Sequence, residues 1–135
     1  MTWTPYPLDL VSGSARYYAV TFVDNETPAE PVNLAEASNI VWIVLDNSNN
    51  VVIKKHLTDN SIIITNAAAG QCLITLDAAD TAPVANQWGY TVGSTTLNNV
   101  YKHETRLYFS DGTQEVPGSF RGPFTVYRTD SWGVT

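Results

Sequence analysis

The amino-acid sequence predicts an all-β protein built as an antiparallel two-layer sandwich, and three observations carry that expectation. Thr, Val and Ile fill the apolar segments, and branched side chains suit the pleated, half-buried surface of a strand. Apolar runs of about six to nine residues recur between Asn, Asp, Gly and Pro clusters, the rhythm of a sandwich. The chain has 135 residues, about one domain. A chain of that size hides roughly two-thirds of its unfolded surface without disulfides or metals to staple it.

Residues 1–15 read as an N-terminal arm, residues 16–130 as a single sandwich domain and residues 131–135 as a tail. Pro5, Pro7 and Gly13 make the arm irregular. Arg16 to Val23 is the first expected strand. Asp24-Asn25-Glu26-Thr27-Pro28 is a loop that Pro31 extends. Ser38 to Asp46 is the second strand, and Asn47-Ser48-Asn49-Asn50 a tight turn, because Asn tolerates the left-handed backbone. Val51 to Leu57, Ser61 to Thr65 and Gln71 to Leu76 follow as short strands. Asp77 to Ala82 is one helical turn that Asp77 caps and Pro83 stops. Gln87 to Ser94 suits a strand or an ordered loop. Tyr101 to Phe109 is a strand, Ser110 to Thr113 a hairpin turn, and Gln114 to Phe120 its partner, broken at Pro117-Gly118. Pro123 to Arg128 closes the sheet.

The strand faces add detail. His103, Thr105, Leu107 and Phe109 share one face, with Lys102, Glu104, Arg106 and Tyr108 on the other. Val51, Ile53 and Leu57 alternate with Lys54 and His56. Ile40, Trp42, Val44, Ile53, Leu57, Leu73, Leu107 and Phe109 are expected in or beside the core. The run Ile40 to Leu45 is apolar on both faces, yet a sandwich covers only one. Either local cover from the arm or a neighbouring subunit shelters the second face. Ile62-Ile63-Ile64 repeats the problem on a smaller scale.

Charge and motif content exclude more than they assign. Seven Lys and Arg against 13 Asp and Glu give a net charge of −6, which opposes phosphate neutralisation and therefore nucleic-acid binding. Charged residues are 15% of the chain, against roughly 25% in ordinary domains, and Thr, Asn and Ser replace them. One Cys and two His cannot build a Cys-rich zinc module or an internal disulfide. No apolar run reaches the roughly eighteen residues of a membrane span, and Met1-Thr2-Trp3-Thr4-Pro5 lacks the start of a secretory signal. The expectation is synthesis in a cytoplasm.

His56 and His103 belong to no ligand or catalytic motif, and Cys72 sits where a small buried hydrophobe is expected. Asp77 and Asp80 lack the Gly and terminal Glu of a calcium loop, and Asp24, Glu26 and Glu30 form a diffuse acidic loop. Neither a nucleophile elbow nor a phosphate-cradling glycine loop is present. The expectation is therefore no catalytic residue, no metal and no cofactor. Trp42 is core. Trp3 and Trp132 near the termini, together with Pro5, Tyr6 and Pro7 of the arm, are expected to dock on this chain or a partner. Trp88 and Tyr90 join them as a contact loop, or alternatively as the platform of a carbohydrate- or receptor-binding module.

In their order, several pieces resemble the immunoglobulin-like sandwich modules of tailed-phage virions, such as the N-terminal domain of baseplate upper proteins and fibre-attachment proteins. The first strand leads through a Pro-containing loop to Asn33-Leu34-Ala35-Glu36-Ala37 and the apolar strand Ile40 to Leu45. Gly70 to Leu76 then runs into Asp77 to Ala82. Tyr101 to Phe109, the Asp111-Gly112 turn and Gly122-Pro123-Phe124-Thr125-Val126 follow. The likeness spans residues 16 to 128, with Gln87 to Val100 as extra length. It implies an immunoglobulin-like fold and a structural, non-enzymatic virion component of neck, baseplate or fibre root. Such a component would assemble as a trimer or ring and join other virion proteins, without nucleic-acid or membrane partners.

Overall fold

A computed structural model describes residues 8–11, 14–26, 28–80 and 98–127 of the chain. Among the described residues nine strands follow one another: β1 (Leu8–Val11), β2 (Arg16–Thr21), β3 (Ala37–Leu45), β4 (Val51–His56), β5 (Ile62–Asn66), β6 (Gln71–Leu76), β7 (Asn98–Phe109), β8 (Gln114–Glu115) and β9 (Gly122–Tyr127). Short 3₁₀ turns at Ala78–Asp80 and Gly118–Phe120 are the helical content among the described residues.

Turn chemistry sets the connections. Asn49 at φ 64° and Asn60 at φ 66° adopt the left-handed backbone that Asn tolerates. Asp46 accepts hydrogen bonds from the backbone of Ser48 and Asn50, which closes the β3–β4 hairpin. Asp111 does the same for Thr113 ahead of β8. The Ala78–Asp80 turn departs from expectation. Its cap runs backwards, with the Asp77 amide donating to Asp80 Oδ2 at 2.7 Å.

The strands form two sheets. One has the order β1-β9-β7-β3-β4, with β8 beside β7, and the other is β2-β6-β5. In immunoglobulin lettering the second sheet is B-E-D and the first contains G-F-C-C′. Two internal features fit that frame. Trp42, fully buried, stands on strand C. Buried Tyr101 stands near the start of strand F, two residues before His103. His103 thus takes the place where antibody domains carry the second cysteine of their inter-sheet disulfide. The fold is an immunoglobulin-like β-sandwich, as the sequence predicts.

One pairing departs from the antiparallel rule. Leu8–Val11, expected within an irregular arm, is a strand that pairs in parallel with β9, Leu8 opposite Phe124 and Val11 opposite Tyr127. Leu10 is 1% exposed and part of the core. Four residues carry too short a pattern to announce a strand, and the partner that satisfies their backbone is more than a hundred residues away.

The core lies between the sheets. Tyr18, Val20, Cys72, Ile74, Leu76 and Ile62 from one layer meet Ile40, Trp42, Val44, Ile53, Leu107, Phe124 and Val126 from the other. Leu57 and Phe109 pack against it half-buried. Leu73 does not belong to it. β6 turns Cys72, Ile74 and Leu76 inward, which leaves Leu73 outward beside Ala19 and Ile63. Val51 also changes face. The register of β3 on β4 slips between Val44–Ile53 and Leu45–Val51, so Val52 is an extra residue. A bulge of this kind reverses the alternation, and Val51 and Val52 are both exposed.

Candidate functional site

The residues expected to make contacts, Trp3, Pro5, Tyr6, Pro7, Trp88, Tyr90 and Trp132, lie outside the described residues, as does Gln87 to Ser94. The groups with chemical potential elsewhere are placed as follows. His103 is 2% exposed, and the Trp42 Nε1–H donates to its Nδ1 at 3.2 Å. An imidazole that accepts at Nδ1 is the neutral tautomer protonated on Nε2. The ring packs edge-on against Phe120 at 4.8 Å, and Phe120 in turn meets Phe22 at 5.9 Å. Trp42 continues the chain to Phe124 at 5.8 Å and Tyr18 at 6.2 Å. This aromatic spine ties the two sheets together, and His103 also stands in the wall of a cleft between β3, β7 and β9.

His56, Ser61 and Asp59 place a hydroxyl between an imidazole-bearing residue and a carboxylate. The contacts are nevertheless those of a turn. The His56 amide donates to Ser61 Oγ at 2.9 Å, and Ser61 Oγ bonds the His56 carbonyl and Asp59 Oδ1. His56 Nδ1 is buried with no hydrogen-bond partner among the described residues, so it does not contact Ser61 Oγ. Burial pushes the Cys72 thiol up to about 12, which leaves it protonated and unreactive near neutrality. In the acidic loop, Asp24 Oδ1 accepts the backbone N–H groups of Glu26 and Glu30 and acts as a loop staple. Among the described residues no three His, Cys, Asp or Glu side chains come close enough to hold a metal.

Concave regions among the described residues include the following pair. A cleft of about 500 Å³ opens at the ends of β3, β7 and β9, where Leu45, Asn49, Lys102, Glu104, Arg121 and Pro123 contribute to its wall. Lys102 Nζ donates to Asn49 Oδ1 there and ties β7 to the β3–β4 turn. The second region is a groove of about 240 Å³ on the outer face of β4, β3 and β7, with Val41, Ile43 and Val51 on its apolar floor. Cross-strand register organises this face in rows. Ile43 lies opposite Glu104 on one side and Lys54 on the other, and Val41 lies between Arg106 and His56. The apolar run of β3 therefore splits cleanly. Ile40, Trp42 and Val44 are fully buried, while Val41, Ile43 and Leu45 remain half-buried. The described part of the arm, β1, lies beside β9 at the far edge and does not lie over this face.

One pair escaped the sequence reading. Lys55 is paired with Trp42 across the ladder, and its Nζ meets Asp80 Oδ2 at 2.8 Å, with both side chains largely shielded. The alternation that sends Lys54 and His56 outward also turns Lys55 inward at the edge strand. Only the folded chain brings the 3₁₀ turn to receive it.

No family model matches this chain, and no curated protein matches it. Among solved structures, CopC from Methylosinus trichosporium OB3b is similar at 13% identity with a TM-score of 0.42, covering 92% of this chain and 86% of that one. AggA, the major subunit of aggregative adherence fimbriae type I from Escherichia coli, is similar at 8% identity with a TM-score of 0.31, covering 93% and 91%. Likeness of this degree carries nothing about function.

Proposed function

We propose that the protein is a non-enzymatic structural subunit of a tailed-phage virion that assembles with copies of itself and joins other virion proteins. The observation that carries the self-assembly is the outer half of β3. Val41, Ile43 and Leu45 form an apolar stripe on the solvent side of a central strand, flanked by exposed Val51 and Val52. A strand of a solitary sandwich normally alternates apolar with polar residues, so a stripe of this kind marks a surface built to be covered. The weakly charged surface supports the same reading. The virion setting rests on the resemblance of residues 16 to 128 to phage modules.

Light scattering on the full chain over a wide concentration range tests the proposal. A discrete oligomer is expected. A chain that stays monomeric at the highest concentration would overturn self-assembly, and a monomer that binds a glycan array would favour the carbohydrate-binding alternative.

A further inference from the structure

We infer that the outer face of β4, β3 and β7 packs against the same face of a second copy about a two-fold axis, with Glu104 as its ionic anchor. The inference rests on the self-assembling reading above and names the surface. Its warrant is the charge pattern around the apolar stripe. Within the groove Glu104 is the anion, while Lys54 and Arg106 are cations, and these three side chains have no ion-pair partner among the described residues of their own chain. Lys54 and Arg106 are exposed and Glu104 half-buried, so all three heads reach the surface beside Ile43 and Val41.

A face-to-face dimer places its two-fold axis in the plane between the sheets. If the axis runs along β3, β7 of one copy lies over β4 of the other, and Glu104 meets Lys54 of the second copy. If it runs across the strands, β7 lies over β7, and Glu104 meets Arg106. Either orientation lays the apolar stripe on its own copy and gives two symmetry-related ion pairs. Such a surface is self-complementary, as an isologous contact requires. A patch meant for an acidic partner would gain nothing from a carboxylate at its centre.

The size of the face sets the strength. Strand spacing and rise give it a flat area of about 300 Å² per copy. Doubled, that is about 600 Å² in total, and with side-chain relief it still falls below the roughly 1,000 Å² that a stable specific interface clears. The pair is therefore weak in dilute solution, and the high local concentration of an assembled particle strengthens it.

Sedimentation equilibrium on the full chain at high concentration tests the inference. Glu104→Lys should raise the dimer dissociation constant at least about tenfold, because it replaces two attractions with two repulsions. Adding Lys54→Glu or Arg106→Glu in the same chain should restore it to within about threefold, and the partner that rescues identifies the axis. Circular dichroism checks that each variant is folded. Unchanged association in Glu104→Lys, or loss that neither second substitution rescues, would overturn this face while leaving assembly through other surfaces intact. A wild-type chain that never associates would instead remove the functional reading beneath it.

Discussion

At the residue scale, Trp42 bridges the two sheets. Its ring contacts Tyr18 of one sheet and Phe124 and His103 of its own, and its N–H is the donor to His103. Removing it empties a large central volume and withdraws a buried hydrogen bond. Trp42→Ala should cost about 3–5 kcal/mol in urea denaturation. A loss below about 1 kcal/mol would show that the spine does not hold the sheets together. Thr105 lies on the same inward face, fully buried, with its hydroxyl unpartnered among the described residues. Replacing that hydroxyl by a methyl removes a desolvated polar atom while keeping the shape. Thr105→Val should therefore be neutral or stabilising, by up to about 1 kcal/mol.

At the scale of elements, the turns do more than reverse the chain. Gly70 ends the turn between β5 and β6 at φ 69°, and its carbonyl accepts the Phe22 amide at 2.8 Å. A Cβ at Gly70 would stand 2.5 Å from the Phe22 carbonyl oxygen and 2.9 Å from that of Val32. Those are backbone atoms that cannot swing away. Gly70→Ala should thus destabilise by more than the roughly 1 kcal/mol of a positive-φ replacement alone, read as a lower thermal midpoint. An unchanged midpoint would mean that the turn re-forms at no cost. Asn25 makes a second tie between elements, donating to the Val116 carbonyl and accepting from the Gly118 amide. It fastens the acidic loop to the segment after β8.

At the scale of the whole molecule, two kinds of carboxylate pull stability in opposite directions with pH. The Asn50 amide chiefly holds Asp46 below its ordinary range, and the Ser61 and Thr113 hydroxyls chiefly do so for Asp59 and Asp111. Their contribution is present above the ordinary carboxylate range and is lost as pH falls through the lowered values. Glu115 behaves inversely. Burial first, then the charges of Asp24 and Glu26, push it up. Its contribution is present below the ordinary value and is lost as pH rises through the raised one, so at neutrality its charge opposes folding. Glu115→Gln should accordingly raise the thermal midpoint at about pH 7, with the gain vanishing below about pH 4. A gain that persists in acid would point to packing and not to charge.

The sequence by itself determined the strand content, most strand limits, the turns at Asn47–Asn50 and Ser110–Thr113, and the shared face of His103, Thr105 and Leu107. Those follow from alternation and from residues that tolerate turn backbone, both local properties. β6 was legible to the residue at its ends, yet the outward turn of Leu73 was not, because in the apolar run Cys72-Leu73-Ile74 no polar residue marks the outer face. Only the tertiary structure decided the parallel β1–β9 pairing, the inversion of Val51 by the bulge at Val52, and the Lys55–Asp80 bond. The β1–β9 pairing and the Lys55–Asp80 bond depend on partners distant in the chain, and the bulge on how β3 and β4 register across their turn. The outer-face row of Glu104, Ile43 and Lys54 belongs to the same class. Its apolar half was visible as a run that no sandwich shelters, but its charges lie on two other strands, β4 and β7, and only the register sets them beside that run.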